Sequence, residues 1–256
     1  MKTWSLLLYQ IKTDLHLKFF GSTLGIYWAV INPLLQVAIY VFLVSFVFKV
    51  KLAGTDHPLD YGLFVLSGMG AWLAFQEALT TSAGSIIRNA SVVKNINFPL
   101  ELFPVSAVMC SLVSLLVSYI ALAALLVASG RGVSITIVAL PIVLVAQLLL
   151  TMGIAFIVAA IGAFFRDIMQ VLPILLQLLM LATPIVYDKS DVPSTFQVIA
   201  KINPLFYLVD SFRQILFYGN WPNWLGILGV GGLGLLLCFA GVKAYRAVKG
   251  LFEGVV

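Results

Sequence analysis

Charge is scarce in this chain: Asp, Glu, Lys and Arg make up 10% of its 256 residues, against 62% hydrophobic. That balance, with a mean hydropathy of +1.09, excludes a water-soluble globular fold. Cysteine is nearly absent. Cys110 and Cys238 both fall inside apolar runs with no ligand spacing around them, which excludes a disulfide framework or a zinc site and leaves them as packing residues. There is no Walker-type glycine-rich loop and no His-Glu or Cys cluster, so the sequence offers no catalytic residue, no metal site and no nucleotide site of its own. His57, in "GTDHPLD", reads as a solvated loop histidine, because Asp56 and Asp60 complete no recognised site. Nucleic acid is excluded as a partner, since no polar domain exists to carry a basic patch. The first 20 residues are broken by Lys12, Asp14, His16 and Lys18, so they are expected to persist rather than act as a cleaved signal.

What fills the chain is long apolar runs. A hydrocarbon core of ~30 Å takes about 20 apolar residues per helix, and six runs fit: 27–48, 61–83, 103–129, 135–165, 168–187 and 224–241. The predicted fold is an all-α polytopic membrane protein with six transmembrane helices in one domain, 1–256. Tilt, or a start near Pro141, accommodates the long fourth run. With the N-terminus in the cytosol, nine loop Lys and Arg fall inside (Lys2, Lys12, Lys18, Arg88, Lys94, Arg166, Lys243, Arg246 and Lys249) and six outside, where Asp56, Asp60, Asp188, Asp191 and Asp210 also lie. Both termini are therefore expected in the cytosol.

Between the runs, four segments carry information. Residues 1–20 place Trp4, Leu8, Ile11, Leu15 and Phe19 at helical spacing, which predicts an amphipathic helix lying in the interface. "GSTLGIYW" (21–28) then breaks that helix and turns the chain into the membrane. "RNASVVKNINFPLE" (88–101) is a polar interruption long enough for one short helix, "ASVVKNIN", before Phe98-Pro99 turns the chain back. Residues 188–222 are apolar yet interrupted by Lys201, Asn203-Pro204, Asp210 and Arg213, so neither half spans; two short re-entrant helices on the outer side are predicted. Small residues at Ala155, Ala159 and Ala163, and the glycines of the last run, allow close helix contact either within one subunit or between two.

Glu77 is the clearest ionisable residue within a run. At ~1.5 Å per residue from Tyr61 it sits ~24 Å into a ~30 Å core, near the cytosolic boundary, and is expected to brace a helix end, with Arg88 as its partner. Aromatics at Tyr27, Tyr40, Phe42, Phe46, Tyr187, Phe206 and Tyr207 suit either an interfacial belt or a stacking surface for sugars.

Four strings then carry a resemblance: "STLGIYWAVINPLLQVAIYVFLVSFVF" (22–48), "NFPLELFPV" (97–105), "FRDIMQVLPILLQLLMLATPIVYD" (165–188) and "NPLFYLVDSFRQILFYG" (203–219). Over essentially the whole chain the sequence resembles type-2 ABC export permeases for cell-surface polysaccharides, most closely the Wzm permeases of O-antigen exporters. The resemblance implies a homodimer in the bacterial inner membrane, multi-pass among its lipids, with a separate Wzt-like nucleotide-binding ATPase that holds ATP and Mg. The permease would have no cofactor and no enzymatic activity. Its cargo would be a polysaccharide linked to undecaprenyl diphosphate, with teichoic acid, capsule, drug or lipid export as alternatives. Residues 88–98 would be the coupling helix, with Arg88, Lys94 and Asn95 contacting the ATPase. Residues 188–222 would form the periplasmic gate helices. On general aromatic chemistry, and not on the resemblance, the seven aromatics named above are the candidates to line the substrate channel, whose wall is expected to come largely from the first and fifth spans. A membrane-embedded glycan-processing enzyme is the rival from another class, and it would need a second carboxylate at the depth of Glu77.

Overall fold

The computed structural model describes residues 3–18, 22–43, 47, 58–95, 98–128, 130, 132, 134–188 and 202–254. Regular structure among them is helical: α1 (Thr3–Lys18), α2 (Trp28–Phe42), α3 (Pro58–Ala83), α4 (Ser85–Arg88), α5 (Ala90–Asn95), α6 (Leu102–Ala128), α7 (Leu140–Phe164), α8 (Ile168–Ala182), α9 (Pro204–Arg213) and α10 (Trp224–Val248). Among the described residues, four stretches are long and apolar enough to cross a membrane: Asp60–Ala83, Leu102–Val127, Ile135–Phe164 and Trp224–Phe252. They match the second, third, fourth and sixth predicted runs, although the last continues past 241.

The other two runs differ from expectation. Helix α8 has 15 residues, about 22 Å at ~1.5 Å each, and stops before the predicted 187. Pro184 is the cause, since a residue before proline is pushed out of the helical region and Thr183 is extended at φ −104°, ψ 128°. Helix α2 runs to Phe42, and Phe46, the channel candidate further along that run, lies outside the described residues.

Helix α3 is the axis of the bundle. Nearly every side chain from Asp60 to Phe75 is buried, which explains why it shows almost no amphipathic asymmetry: it is covered all round by α2, α6, α7, α8 and α9. The outer helices leave one face bare. On α10 the bare residues include Leu225, Leu228, Leu236 and Phe239, and on α8 Ile174, Leu178 and Leu181.

Close approach between helices depends on missing side chains. A Cβ on Gly153 of α7 would lie 2.5 Å from the Cys238 nitrogen of α10, one on Gly241 would lie 2.6 Å from the Gly153 carbonyl, and one on Gly234 would lie 2.6 Å from the Leu150 nitrogen. Ala155, Ala159 and Ala163 are buried on α7 too. The choice left open by these small residues is thus resolved toward packing within the subunit, while Gly229 and Gly232 face open space. Gly25, at φ +51°, makes the predicted bend between α1 and α2 in a conformation that L side chains rarely adopt.

Gly153→Val or Gly241→Val should therefore force α7 and α10 apart and lower stability by at least ~1–3 kcal/mol. Gly232→Ala should stay within about 0.5 kcal/mol of the parent. Thermal unfolding of the purified chain in detergent measures both, and equal losses at the two kinds of site would contradict this packing.

Candidate functional site

Two polar clusters stand at opposite ends of the bundle. The first is the elbow between α3 and α6. The predicted helix "ASVVKNIN" (90–97) is α5 as far as Asn95, and a second short helix that was not predicted, α4, precedes it across Asn89. The physical reason is local: the Asn89 carboxamide donates to the Ser85 carbonyl at 2.8 Å, closing α4, while its own carbonyl accepts from the Val92 and Val93 amides at 2.9 and 3.0 Å, opening α5. Residues 96 and 97 lie outside the described residues.

The elbow is fastened to the bundle by its apolar side. Ile86 and Val93 are buried with Phe103, Phe156, Tyr245 and Phe252, and the Tyr245 hydroxyl donates to the Leu100 carbonyl at 2.9 Å. Lys94 is exposed on the opposite side of α5. The Asn95 backbone ends that helix. Arg88 belongs to α4 and curls back to donate to the Thr81 carbonyl at the end of α3, satisfying an acceptor that the helix terminus leaves open. Burial lowers the Arg88 guanidinium, and nearby Asp14 opposes that shift.

Helix α1 packs on the same end. Leu7 and Gln10 are buried there, the Ser106 hydroxyl donates to Asp14 Oδ2 at 2.5 Å, and the Gln10 amide donates to Asp14 Oδ1 at 2.8 Å. Burial raises the Asp14 carboxyl despite those two bonds. Trp4 and Leu8 of the predicted apolar stripe remain uncovered by protein, and Phe19 lies outside the described residues.

Glu77 braces helix ends as expected, but Arg88 is not its partner. Its Oε1 lies 2.5 Å from Lys18 Nζ, and its Oε2 accepts from the Ser114 hydroxyl at 2.5 Å. One carboxylate thereby ties α1, α3 and α6 together. Arg88 stands beyond the turn at Gly84, where it is held by Thr81.

At the other end, the chain following α8 runs as irregular backbone inside the bundle. The carbonyls of Pro184, Ile185 and Val186 each find a side-chain donor. Arg213 Nη1 donates to Pro184 at 3.0 Å and Nη2 to Ile185 at 2.7 Å, the Tyr61 hydroxyl donates to Val186, and the guanidinium carbon lies 3.6 Å from the centre of the Phe64 ring. Arg213 is 3% exposed, and burial pushes it down to about 10, with Asp210 opposing; it stays charged at neutral pH. Gly68 makes the room, since a Cβ there would lie 2.8 Å from Val209 and 3.3 Å from Arg213 Nη2. Asn203 caps α9 by accepting from the Leu205 amide at 3.0 Å, and its carboxamide donates to Thr183 Oγ1 at 2.7 Å. The second of the two predicted outer helices is thus α9, extended by a π-turn to Tyr218; the first falls on 189–201, outside the described residues.

The channel candidates do not form one row within the chain. Phe206 and Tyr207 pack together with ring centres 5.2 Å apart, and Tyr207 lies over Gly226 of α10. Tyr40 is half-buried with its hydroxyl 3.9 Å from Met180 Sδ, and the Tyr187 hydroxyl donates to Leu181 at 2.8 Å. Tyr27 and Phe42 are exposed at the two ends of α2. Sequence reasoning missed the roles of Arg213, Lys18 and Asp14, because their partners are distant in the chain; the signal available was their charge beside apolar runs.

Glu101 supplies a pH-dependent link at the elbow end. It accepts from Lys249 Nζ at 3.1 Å and Arg246 Nε at 3.3 Å. Burial alone would raise its carboxyl, but a backbone hydrogen bond and those two cations hold it below the ordinary 4.5. A depressed carboxyl binds its proton more weakly when folded, so the stabilisation is full above 4.5 and is lost as pH falls through the lower folded value. Glu101→Gln should remove that acid-side loss, as read from unfolding temperature against pH. At the other end, Arg213→Lys should destabilise the chain, because an ammonium lacks the fork that reaches two carbonyls at once; an unchanged unfolding temperature would contradict the clasp.

Residues 6–217 match the model of the family described as ABC-2 type transporter. The chain is 28% identical to the O-antigen export system permease protein RfbA of Klebsiella pneumoniae, covering 99% of this chain and 95% of that protein. It is 25% identical to the RfbA protein of the same description from Myxococcus xanthus, over 94% and 92% of the two chains. Identity to the polysialic acid transport protein KpsM of Escherichia coli is also 25%, over 94% and 91%. With its apolar spans, its polar elbow and a match across most of its length, the chain is a multi-pass membrane protein and belongs to the ABC-2 type transporter family.

Proposed function

We propose that this chain is the permease subunit of an ATP-driven exporter that moves a polysaccharide linked to undecaprenyl diphosphate, of the O-antigen kind, across the bacterial inner membrane. The carrying observation is similarity over 99% of the chain to a permease named for O-antigen export. A capsular polysaccharide is the second reading, favoured by the similarity to a polysialic acid transport protein. ATP hydrolysis belongs to a separate nucleotide-binding subunit, and this chain does no chemistry.

The functional unit is a homodimer with both termini in the cytosol and six membrane-crossing segments per subunit, two of them built on α2 and α8. Support for that arrangement comes from the apolar residues these helices leave bare, such as Val30, Leu34 and Ile39 on α2 and Ile174, Leu178 and Leu181 on α8. Such faces suit a passage wall or the twin subunit. Helix α1 lies in the cytosolic interface, residues 188–222 gate the outer side, and the aromatics of α2 and α9 meet the sugar.

Residues 88–98 are the coupling segment, with Arg88, Lys94 and Asn95 at the ATPase contact. A displacement of α5 there reaches α10 through Val93, Tyr245 and Phe252, and reaches α6 through Glu101 with Arg246 and Lys249. ATP shifts the transporter between states only if the ATPase binds those states differently.

Lys94→Glu tests the handle. Like-charge juxtaposition across an interface costs several kcal/mol, so ATPase co-purification should weaken about tenfold or more and glycan export into inverted vesicles should fail, while the permease keeps its unfolding temperature. Normal export with normal complex formation would count against the assignment.

A further inference from the structure

A cavity of about 260 Å³ opens between α2 and α3, at the level of the Lys18–Glu77 pair. Its two charges neutralise one another. Both Glu77 oxygens are taken, one by Lys18 and one by Ser114, so an anion entering the cavity would meet the carboxylate and a cation would meet the ammonium.

What remains for a ligand is neutral hydrogen bonding. Asn32 and Gln36 stand one turn apart on α2, each offering a donor and an acceptor, and among the described residues neither carboxamide makes a hydrogen bond. Across the cavity, the Gln76 oxygen accepts from the Trp72 indole at 3.0 Å, which leaves its NH₂ to donate. The Thr80 hydroxyl donates to the Gln76 carbonyl at 2.9 Å, which leaves its lone pairs to accept. Trp28, one turn before Asn32, adds an indole to the lining, and Ala29 and Leu73 complete it as apolar surface.

This combination selects by exclusion. Asn32 and Gln36 are exposed in the chain alone, so an apolar ligand that covered them would strand their amides, at about 1–3 kcal/mol for each group so buried. A pyranose satisfies them instead, because its hydroxyls donate and accept while one face stacks on an aromatic ring. The volume, about 260 Å³, lies just below the ~300 Å³ at which sites for drug-sized ligands begin, so the cavity suits one ring and not a chain. The geometry points to a binding site for a single neutral pyranose unit between α2 and α3, held by Asn32, Gln36 and Gln76 against Trp28, at the end of the bundle where the elbow and α1 meet. It rests on the export reading above, in which that end is the uptake side.

The chain holds five tryptophans, so the full-length protein labelled with 5-fluorotryptophan and placed in phosphatidylcholine nanodiscs gives a fluorine resonance for each. Trp28→Phe identifies its peak. Titration with the methyl pyranosides of glucose, galactose, mannose, rhamnose and N-acetylglucosamine should move that peak saturably for at least one sugar, with half-saturation on the order of millimolar. Asn32→Leu combined with Gln36→Leu should raise the half-saturation about tenfold or more. Should that variant fail to fold, the titration of the unaltered chain still decides.

Three results would overturn the site: no saturable movement with any of the five sugars, an equal movement with inorganic phosphate, or a movement that follows only the exchange of phosphatidylcholine for phosphatidylglycerol. Export of the lipid-linked glycan by the permease–ATPase complex in vesicles is measured separately, and there the double variant should raise KM about tenfold with kcat retained. Export without a Trp28 response removes the sugar site and leaves the export reading. A Trp28 response without export does the reverse.

Discussion

Polar groups carried into an apolar medium must find partners inside the protein, and the architecture follows from where each one finds them. The carbonyls of Pro184, Ile185 and Val186, freed when proline ends α8, would be untenable in hydrocarbon. Arg213 and Tyr61 satisfy all three. A buried guanidinium is itself costly, yet here it faces two acceptors and an aromatic ring, and it remains protonated at neutral pH. Elsewhere in the interior the Gln147 amide donates to the Ala71 carbonyl at 2.9 Å, tying α7 to the middle of α3. Around α3, polar residues thus act as fasteners between helices whose outer sides are mainly apolar.

The same constraint shapes the elbow end. Hydrophobic contact alone does not orient helices in lipid, because a lipid tail is as apolar as a leucine side chain. Directional links are needed, and they converge on one end of the bundle: Lys18–Glu77–Ser114, Asp14–Ser106, Glu101 with Arg246 and Lys249, and Tyr245 with the Leu100 carbonyl. These links hold α1, α3, α6 and α10 together, and α4 and α5 join the same unit through the Arg88–Thr81 hydrogen bond and the buried Ile86 and Val93. Between the helices themselves, absent side chains set the spacing, with Gly153, Gly234 and Gly241 letting the α7 and α10 backbones touch.

Much of this was legible in the residues. Three of the helix-end and bend signals were correct where they were local: the break at Gly25, the helix start at Asn203-Pro204, and the polar elbow at 88–101. Four of the runs coincide with long apolar helices among the described residues, the last continuing past 241, because a run of about 20 apolar residues is its own signal. The fifth was overextended, since apolarity continued through Pro184 while helicity did not. The helix read at 90–97 is α5 as far as Asn95, but the short α4 before it was not foreseen, because it is closed by Asn89, a side chain that competes with the backbone for its hydrogen bonds.

Composition and hydropathy determined by themselves that the chain is a helical membrane protein, where its long spans run, and where its polar elbow interrupts them, because those properties depend on neighbours within a few turns. Only the tertiary structure decided the pairings. Glu77 binds Lys18, 59 residues away, and not the nearer Arg88; Arg213 reaches back to Pro184 and Ile185; and among the glycines of α10 only some meet α7. Periodicity places a side chain on a face of its helix, but which distant element approaches that face is set by how all the helices pack at once.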